Sequence, residues 1–416
     1  MQDNITLLQD KRILLGITGS IACYKAVDLA SKLTQAGALV DVIMTRAAQQ
    51  FVTPLTFQAV TGRSTYTDMW QTDSGGALPT HIAHVGLAEG ADLLAVIPAT
   101  ADTIARLDHG FANDLLAVTA LAARCPLLIA PAMDGAMYSH PAVQANLETL
   151  RVRGAWIIEP EEGRFASGLV GKGRLPETST LMGAIRQTLG ANGALAGRRV
   201  IVTAGGTREP LDPVRYLTNR SSGKQGYALA QAAVDAGATV TLITSARGLP
   251  VPYGVEVVSV ESAAQLHDAV LRHVANADAL AMAAAVADFR PQTAAPNKIK
   301  KSELDQDAPA IQLERTADIL AAVKDQRAQT GFPRVTVGFA AESQELLTYA
   351  RDKIVRKGVD LLVANDISAA DAGFDVDTNR VIILDADGEA ETLPLASKAV
   401  VSEIILQRVA KLLEGR

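Results

Sequence analysis

The stretch from Val202 to Gly226 constrains this chain most. A short apolar strand, Arg199 to Thr203, leads into a turn at Gly205-Gly206, a polar loop, and an apolar helix after Gly226. In a parallel α/β sheet, nucleotides and anions bind there, outside the carboxyl end of a strand. Glycines let the backbone approach an anion, and N–H groups at the following helix start hold it. Strand-to-helix loops usually run about two to six residues, and this one runs roughly twenty. It carries Arg208, Arg215, Asn219, Arg220 and Lys224, which a plain connector does not need.

The plan occurs twice. Ala36-Gly-Ala-Leu-Val-Asp-Val-Ile-Met-Thr45 is echoed by Ala236-Gly-Ala-Thr-Val-Thr-Leu-Ile-Thr-Ser245. In each, a helix ends at a glycine and a buried strand follows. An earlier strand and glycine turn precede them, Ile13 to Gly19 and Val200 to Gly206. Strand, glycine turn, helix and second strand make a βαβ unit. Short apolar runs without alternation read as strands covered on both faces. They fall at 93–97, 127–130 and 156–158, then at 255–260, 280–285, 336–339, 361–364 and 381–384. Helical patterns fall at 141–151, 263–274, 344–357 and 397–413. Small residues and glycines at 190–197 read as a linker. The expected fold class is α/β, with two Rossmann-like parallel-sheet domains at 1–190 and 191–416.

Composition narrows the function. A net charge of -6 argues against a general nucleic-acid binder. The two cysteines, Cys23 and Cys125, make neither a disulfide framework nor a metal-knuckle spacing. The polar, acidic start, Met1 to Asp10, does not read as a signal peptide. No apolar run reaches the ~18 residues that suggest a membrane span. A cytoplasmic protein with small-molecule partners, and with neither nucleic acid nor membrane among them, is expected.

Five motifs in order then carry a resemblance. They are the phrase from Thr203 to Gly226, Ala283-Ala-Ala-Val-Ala-Asp-Phe289, Lys298-Ile-Lys-Lys301, Gly338-Phe-Ala-Ala-Glu342 and Ala364-Asn-Asp366. With them, the second half resembles the phosphopantothenate–cysteine ligases. The first half resembles the flavin-dependent decarboxylases that act on the ligase's product, which implies a flavodoxin-like domain. Over nearly its whole length the chain is similar to the bifunctional bacterial enzymes of coenzyme A biosynthesis.

The ligase chemistry has clear demands. A carboxylate must be activated before an amine attacks it, as by forming an acyl-nucleotide with release of pyrophosphate. The transition state gathers negative charge, so fixed cations and amide donors are required. The resemblance implies that Lys298 is catalytic and meets the nucleotide, and that Asn219 holds the acyl-nucleotide. It implies nucleotide contacts from Met282, Ala283, Ala284, Asp288, Phe339, Lys353 and Lys357, with Asp288 ending a strand. Lys353 and Lys357 stand four apart, on one face of a helix. Ser221, Ser222, Gly223 and Lys224 suit a phosphate-binding nest. The Walker spacing is missing. The resemblance also implies CTP, with Mg²⁺ arriving on the triphosphate.

In the first half, Gly19 and Ser20 stand at a helix start that suits a flavin phosphate. Thr45 ends the second strand as a further phosphate contact. The resemblance implies FMN held by these, by the loop Pro98, Ala99, Thr100, Ala101, Asp102 and Thr103, and by Met133. It implies His84 as the active-site histidine, rather than His81. Decarboxylation in such enzymes is redox-neutral and proceeds through a thioaldehyde. Trimeric flavin domains and dimeric ligase domains are likewise implied.

Two positions depart from the family. Asp134 replaces an asparagine that binds the substrate carboxylate, and an ionised aspartate repels a carboxylate unless its pKa is raised or a cation pairs with it. Ser167 replaces a cysteine, and a hydroxyl is a poorer proton donor. Three readings follow: another group compensates, the product is oxidised, or decarboxylation is weak. The alternative function is an active ligase fused to an FMN-binding domain with altered decarboxylase activity.

Overall fold

The computed structural model describes residues 5–70, 82–300, 310–342, 354–366 and 376–415. The chain divides into two compact units, Met1–Gly190 and Ala191–Arg416.

In the first unit, β1 (Arg12–Ile17), β2 (Leu39–Met44), β3 (Thr65–Tyr66), β4 (Leu93–Ala99), β5 (Leu127–Pro131) and β6 (Trp156–Ile157) form one sheet. Its order is β3-β2-β1-β4-β5-β6, and every neighbouring pair is parallel. The central strands are continuous apolar runs because helices cover both faces. The helix Cys23–Gln35 buries Ala26, Leu29, Ala30 and Leu33, a stripe at helical spacing. A hairpin of β7 (Glu161–Arg164) and β8 (Val170–Arg174) follows.

One polar residue breaks the apolar pattern. Asp41, in the middle of β2, is buried. It receives Arg12 Nε at 2.9 Å and Arg63 Nε at 2.8 Å. Asp41's hydrogen bond raises the Arg63 pKa. The carboxylate thereby ties β1, β2 and the chain entering β3 at one point.

The second unit holds β9 (Arg199–Ala204), β10 (Arg208–Pro210), β11 (Tyr216–Thr218), β12 (Thr239–Thr244), β13 (Glu256–Ser259) and β14 (Ala279–Met282). It continues with β15 (Phe289–Pro291), β16 (Leu313–Arg315), β17 (Val335–Glu342) and β18 (Leu361–Asp366). It closes with β19 (Thr378–Asn379), β20 (Val381–Asp385), β21 (Ala390–Thr392) and β22 (Ala396–Ser397). The main sheet runs β13-β12-β9-β14-β17-β18-β20-β21. From β13 to β18 it is parallel. Successive β9 residues pack into opposite cores: Val200 and Val202 beneath the helices Lys224–Asp235 and Lys398–Glu414, Ile201 with Leu266 and Val270. The sheet is thus covered on both faces.

Three local features differ from the sequence reading. The far edge is antiparallel, β18 with β20 and β20 with β21. Between β20 and β21 a tight turn does this: Asp385 Oδ1 accepts the amides of Asp387 at 3.1 Å and Glu389 at 2.9 Å, so β21 folds straight back. The long loop after β9 contains its own hairpin, β10 with β11, and the next helix starts at Lys224. The strand expected to reach Ala285 ends at Met282 because Ala284 N turns to the Thr203 hydroxyl at 3.0 Å. Asp288 therefore stands beyond that strand. Of the helix expected at 344–357, Lys353 lies outside the described residues.

Asp41→Ala should leave two guanidinium groups without their acid. Removing one partner of a buried ion pair costs about 3–5 kcal/mol. A urea midpoint unchanged from wild type would show that the three-residue tie is not structural.

Candidate active sites

Both sheets reverse strand order once, β1 against β4 and β9 against β14, which is where a crevice at the carboxyl ends is expected. In the first unit the crevice is drawn together by Thr18, which is fully buried. Its hydroxyl donates to Pro98 O at 2.7 Å and accepts Thr100 N at 3.0 Å. Thr100 in turn caps the helix Ala101–His109 by accepting Thr103 N. Gly19 faces the turn after β2: a Cβ there would stand 2.4 Å from Ala47 Cβ. Thr45 accepts the Ala48 amide at 3.3 Å within that turn. The helix proper begins at Cys23, so Gly19 and Ser20 lie in its approach, and Ser20 Oγ accepts Ala22 N at 3.3 Å. Asp102 is turned outward and pairs with Arg106 at 2.8 Å.

Beside this crevice lies a cavity of about 340 Å³. It brings together Ser20, Met133, Asp134 and Ser167 with Lys25, Arg164 and Arg174. The two departures meet: Ser167 Oγ donates to Asp134 Oδ2 at 3.0 Å. Asp134 also caps a short helix through Ala136 N. Gly173 makes the approach possible, since a Cβ there would stand 2.3 Å from Met133 O. The hairpin is anchored by Glu159, which accepts Lys172 Nζ at 2.7 Å and the Tyr138 hydroxyl at 2.9 Å. Burial pulls Glu159's pKa upward, but those hydrogen bonds outweigh it and hold it below the usual value. Tyr138 is pushed up, first by burial and then by Glu159. His84 lies half-buried on the helix Ala83–Ala88 and does not line this cavity.

In the second unit, Thr203 and Thr207 are fully buried and pair the backbone that leaves β14. Thr203 Oγ1 accepts Ala284 N at 3.0 Å, and Thr207 Oγ1 accepts Ala287 N at 3.0 Å. Asn219 reaches across and donates to Val286 O at 3.1 Å. Gly226 lets the following helix touch β9: a Cβ there would stand 2.5 Å from Ala204 Cβ. Gly223 enters that helix with φ +82°, and Ser221 and Ser222 precede it half-buried. Lys224 pairs with Asp377 at 2.7 Å.

A cavity of about 600 Å³ opens on the β14 side. It is lined by Met282, Ala284, Asp288, Phe339 and Lys357 among the expected residues, but not by Ala283 or Lys298. It is also lined by Arg315, Thr316, Ala317 and Asp318, which the sequence reading missed. Asp318 caps the helix Ile319–Thr330 and binds Lys357. Burial raises Asp318's pKa, yet the Lys357 hydrogen bond wins and lowers it. Lys298 is exposed on a loop. Its neighbour Ile299 is fixed by Asp212 and Arg215: Arg215 Nη2 donates to Ile299 O at 2.9 Å, and Ile299 N to Asp212 Oδ2 at 3.3 Å. Among the described residues, no three metal-binding side chains gather, and no helix is long and apolar enough to cross a membrane.

Residues 2–190 match the flavoprotein family. Residues 195–413 match the DNA/pantothenate metabolism flavoprotein C-terminal domain. The coenzyme A biosynthesis bifunctional protein CoaBC of Bacillus subtilis is 45% identical, over 98% of this chain and 98% of its own. The chain belongs to that family. The CoaBC protein of Mycobacterium tuberculosis H37Rv is 46% identical, over 97% of each chain. A crystal structure of the C-terminal domain of a CoaBC protein shares 38% identity over 54% of this chain and 100% of that one, with a TM-score of 0.45. Family membership agrees with the α/β fold and with the resemblance read from the five motifs.

Asp212 is a positioning residue that the motifs do not announce. It is buried, and its pKa is held far below the ordinary aspartate range. Arg215 is the main cause, against the upward pull of burial; the amides of Val214, Arg215 and Ile299 add to it. A carboxyl depressed in the folded state stabilises fully above its unfolded pKa, about 3.9. That contribution is lost as pH falls through the folded value. Asp212→Asn should therefore lower the second unit's urea midpoint at neutral pH, and the gap to wild type should narrow below about pH 4. A gap constant between neutral pH and pH 3 would exclude ionised Asp212 as the cause.

Proposed function

We propose that residues 191–416 join 4′-phosphopantothenate to cysteine, using CTP, and that residues 1–190 bind FMN and decarboxylate the 4′-phosphopantothenoylcysteine formed. Each activity is supported by one of the two crevices, within a chain that belongs to the bifunctional coenzyme A biosynthesis family.

In the ligase unit, Met282, Ala284, Phe339 and Lys357 line a cavity suited to a nucleotide. Asp288 and Asp318 bring carboxylates to it. We assign Lys298 to charge stabilisation during acyl-cytidylate formation, and Asn219 to holding that intermediate through a neutral amide. The Ser221–Ser222–Gly223–Lys224 turn takes a phosphate group on its amides and ammonium. Mg²⁺ enters with the triphosphate, whose oxygens are the hard ligands it prefers.

The first crevice fits a flavin phosphate on one observation. Gly19 lets the loop after β1 pack directly on the turn after β2, where a Cβ would meet Ala47, and Ser20 and Thr45 bring hydroxyls on that loop and turn. Ser20, Thr45 and the 98–103 loop would hold the cofactor, with Met133 beside it. When bound, FMN supplies a two-electron acceptor and donor, so carbon dioxide leaves without net redox change. Asp134 and Ser167 share one hydrogen bond and act as a single polar group on the reacting end of the substrate. We assign His84 to the cavity of a neighbouring copy, in a homo-oligomer with trimeric flavin units and dimeric ligase units. Light scattering that returns a monomer mass would remove this part. A cytoplasmic location completes the proposal.

Lys298→Gln should slow CTP-dependent pyrophosphate release by about a hundredfold, the scale of losing one transition-state charge contact. Its urea midpoint should stay at the wild-type value, since an exposed lysine carries little core energy. Near-normal turnover would mark the lysine as a solvated surface charge.

A second assay follows pyrophosphate, carbon dioxide and product thiol together from phosphopantothenate, cysteine and CTP. Wild type should yield all three in equal amounts, and Asp134→Asn with Ser167→Cys should not speed it. Pyrophosphate without carbon dioxide, in wild type and double variant alike, would leave only the ligase.

A further inference from the structure

The decarboxylation substrate ends in a carboxylate, and the cavity that would receive it already contains Asp134. Both Asp134 oxygens act as acceptors, Oδ2 from the Ser167 hydroxyl and Oδ1 from the Ala136 amide. An ionised Asp134 has no proton to offer a second carboxylate and repels it. A cation on the same wall relieves that repulsion.

Three cations line the cavity: Lys25, Arg164 and Arg174. Lys25 is buried and committed, with Glu177 at 2.9 Å and the Leu175 carbonyl at 3.0 Å. Arg174 is committed to the same Glu177 at 2.6 Å. Arg164 ends β7, is exposed, and has no carboxylate partner among the described residues. Its Nη2 lies 4.0 Å from where a Cβ on Gly168 would stand, beside the turn that carries Ser167. That turn is fixed by two backbone bonds, Phe165 N to Leu169 O at 2.8 Å and Gly168 N to Phe165 O at 3.0 Å. A guanidinium offers two parallel N–H groups, the complement of a carboxylate.

We infer that Arg164 is a specificity-determining residue: it seats the substrate carboxylate and offsets the negative charge of Asp134. The inference rests on the decarboxylase reading of this cavity. It asks nothing of bond-making chemistry, only of binding.

The test uses the full-length, flavin-loaded protein and two inert ligands. Phosphopantothenoylserine carries a hydroxyl where the substrate has its thiol. Phosphopantothenoylethanolamine lacks the carboxylate as well, and both keep the phosphate. The change in visible flavin absorption on titration gives a Kd without turnover. Arg164→Gln should weaken the serine ligand about tenfold or more and leave the ethanolamine ligand within about twofold. Adding Asp134→Asn to that variant should recover part of the lost affinity, because the repelling charge is gone. Equal weakening of both ligands would make Arg164 a phosphate contact or a scaffold residue, and no weakening would remove it from the site; either result overturns the inference. Should Arg164→Gln fail to retain flavin, Arg164→Lys keeps the charge without the fork and must still discriminate between the ligands in the same direction. Wild-type protein whose flavin responds to neither ligand would overturn the decarboxylase reading itself, which separates that failure from failure of Arg164 alone.

Discussion

A parallel strand that stops before its neighbours leaves backbone amides with no ladder partner, and buried amides cannot go unpaired. In both units a buried threonine hydroxyl takes up such an amide at the strand switch, although only β14 stops short of its neighbours. Thr18 accepts Thr100 N across β1 and β4, and Thr203 accepts Ala284 N across β9 and β14, each at 3.0 Å. Thr207 repeats the device one turn further, on Ala287. The geometry of each crevice depends on these hydroxyls. In the second unit they let the chain leave the sheet after Met282, so that 283–288 become wall instead of strand; in the first, Thr100 turns out of the sheet directly after β4 and starts the next helix.

Charge is arranged around those walls in closed pairs. Asp212 with Arg215, Asp318 with Lys357 and Glu159 with Lys172 each hold a loop or hairpin by a charge-assisted bond, and in each the acid's pKa is lowered. An exposed pair such as Glu159 with Lys172 contributes little to stability. The effect of these pairs is positional: Asp212 fixes the backbone beside Lys298, and Glu159 fixes the hairpin that carries Ser167.

The βαβ plan is legible in the sequence because period and punctuation are local. Apolar runs mark the strands, and Gly37 and Gly237 mark helix ends in both halves. Gly205 and Gly223, both at positive φ, mark the ends of the long loop after β9. What stays hidden depends on partners distant in sequence. Asp41 looks like one polar residue in an apolar run until Arg12 and Arg63 close on it. Asp212 looks like a loop residue until Ile299 arrives from the far side. Thr316, Ala317 and Asp318 carry no motif of their own, since only the fold of β15 against β16 brings them to the cavity of Asp288. The early end of β14 is hidden for the same reason: Ala283 to Ala285 read as strand by composition, and only the Thr203 hydroxyl diverts them.

The two departures in the first unit become intelligible as an exchange of donors and acceptors. An asparagine at 134 would bring two N–H donors and one carbonyl acceptor. Aspartate removes both donors and leaves two acceptors. A cysteine at 167 would be a weak donor to such a group, whereas a serine hydroxyl is a good one. Asp134 with Ser167 is therefore a matched pair, and the 3.0 Å bond between them follows from the chemistry of both. The exchange does not conserve charge. Replacing a neutral amide by a carboxylate adds a negative charge to the cavity wall, and no rearrangement of hydrogen bonds within the pair removes it. A cation outside the pair can offset that charge, and Arg164, on the same cavity, is the one without a carboxylate partner among the described residues.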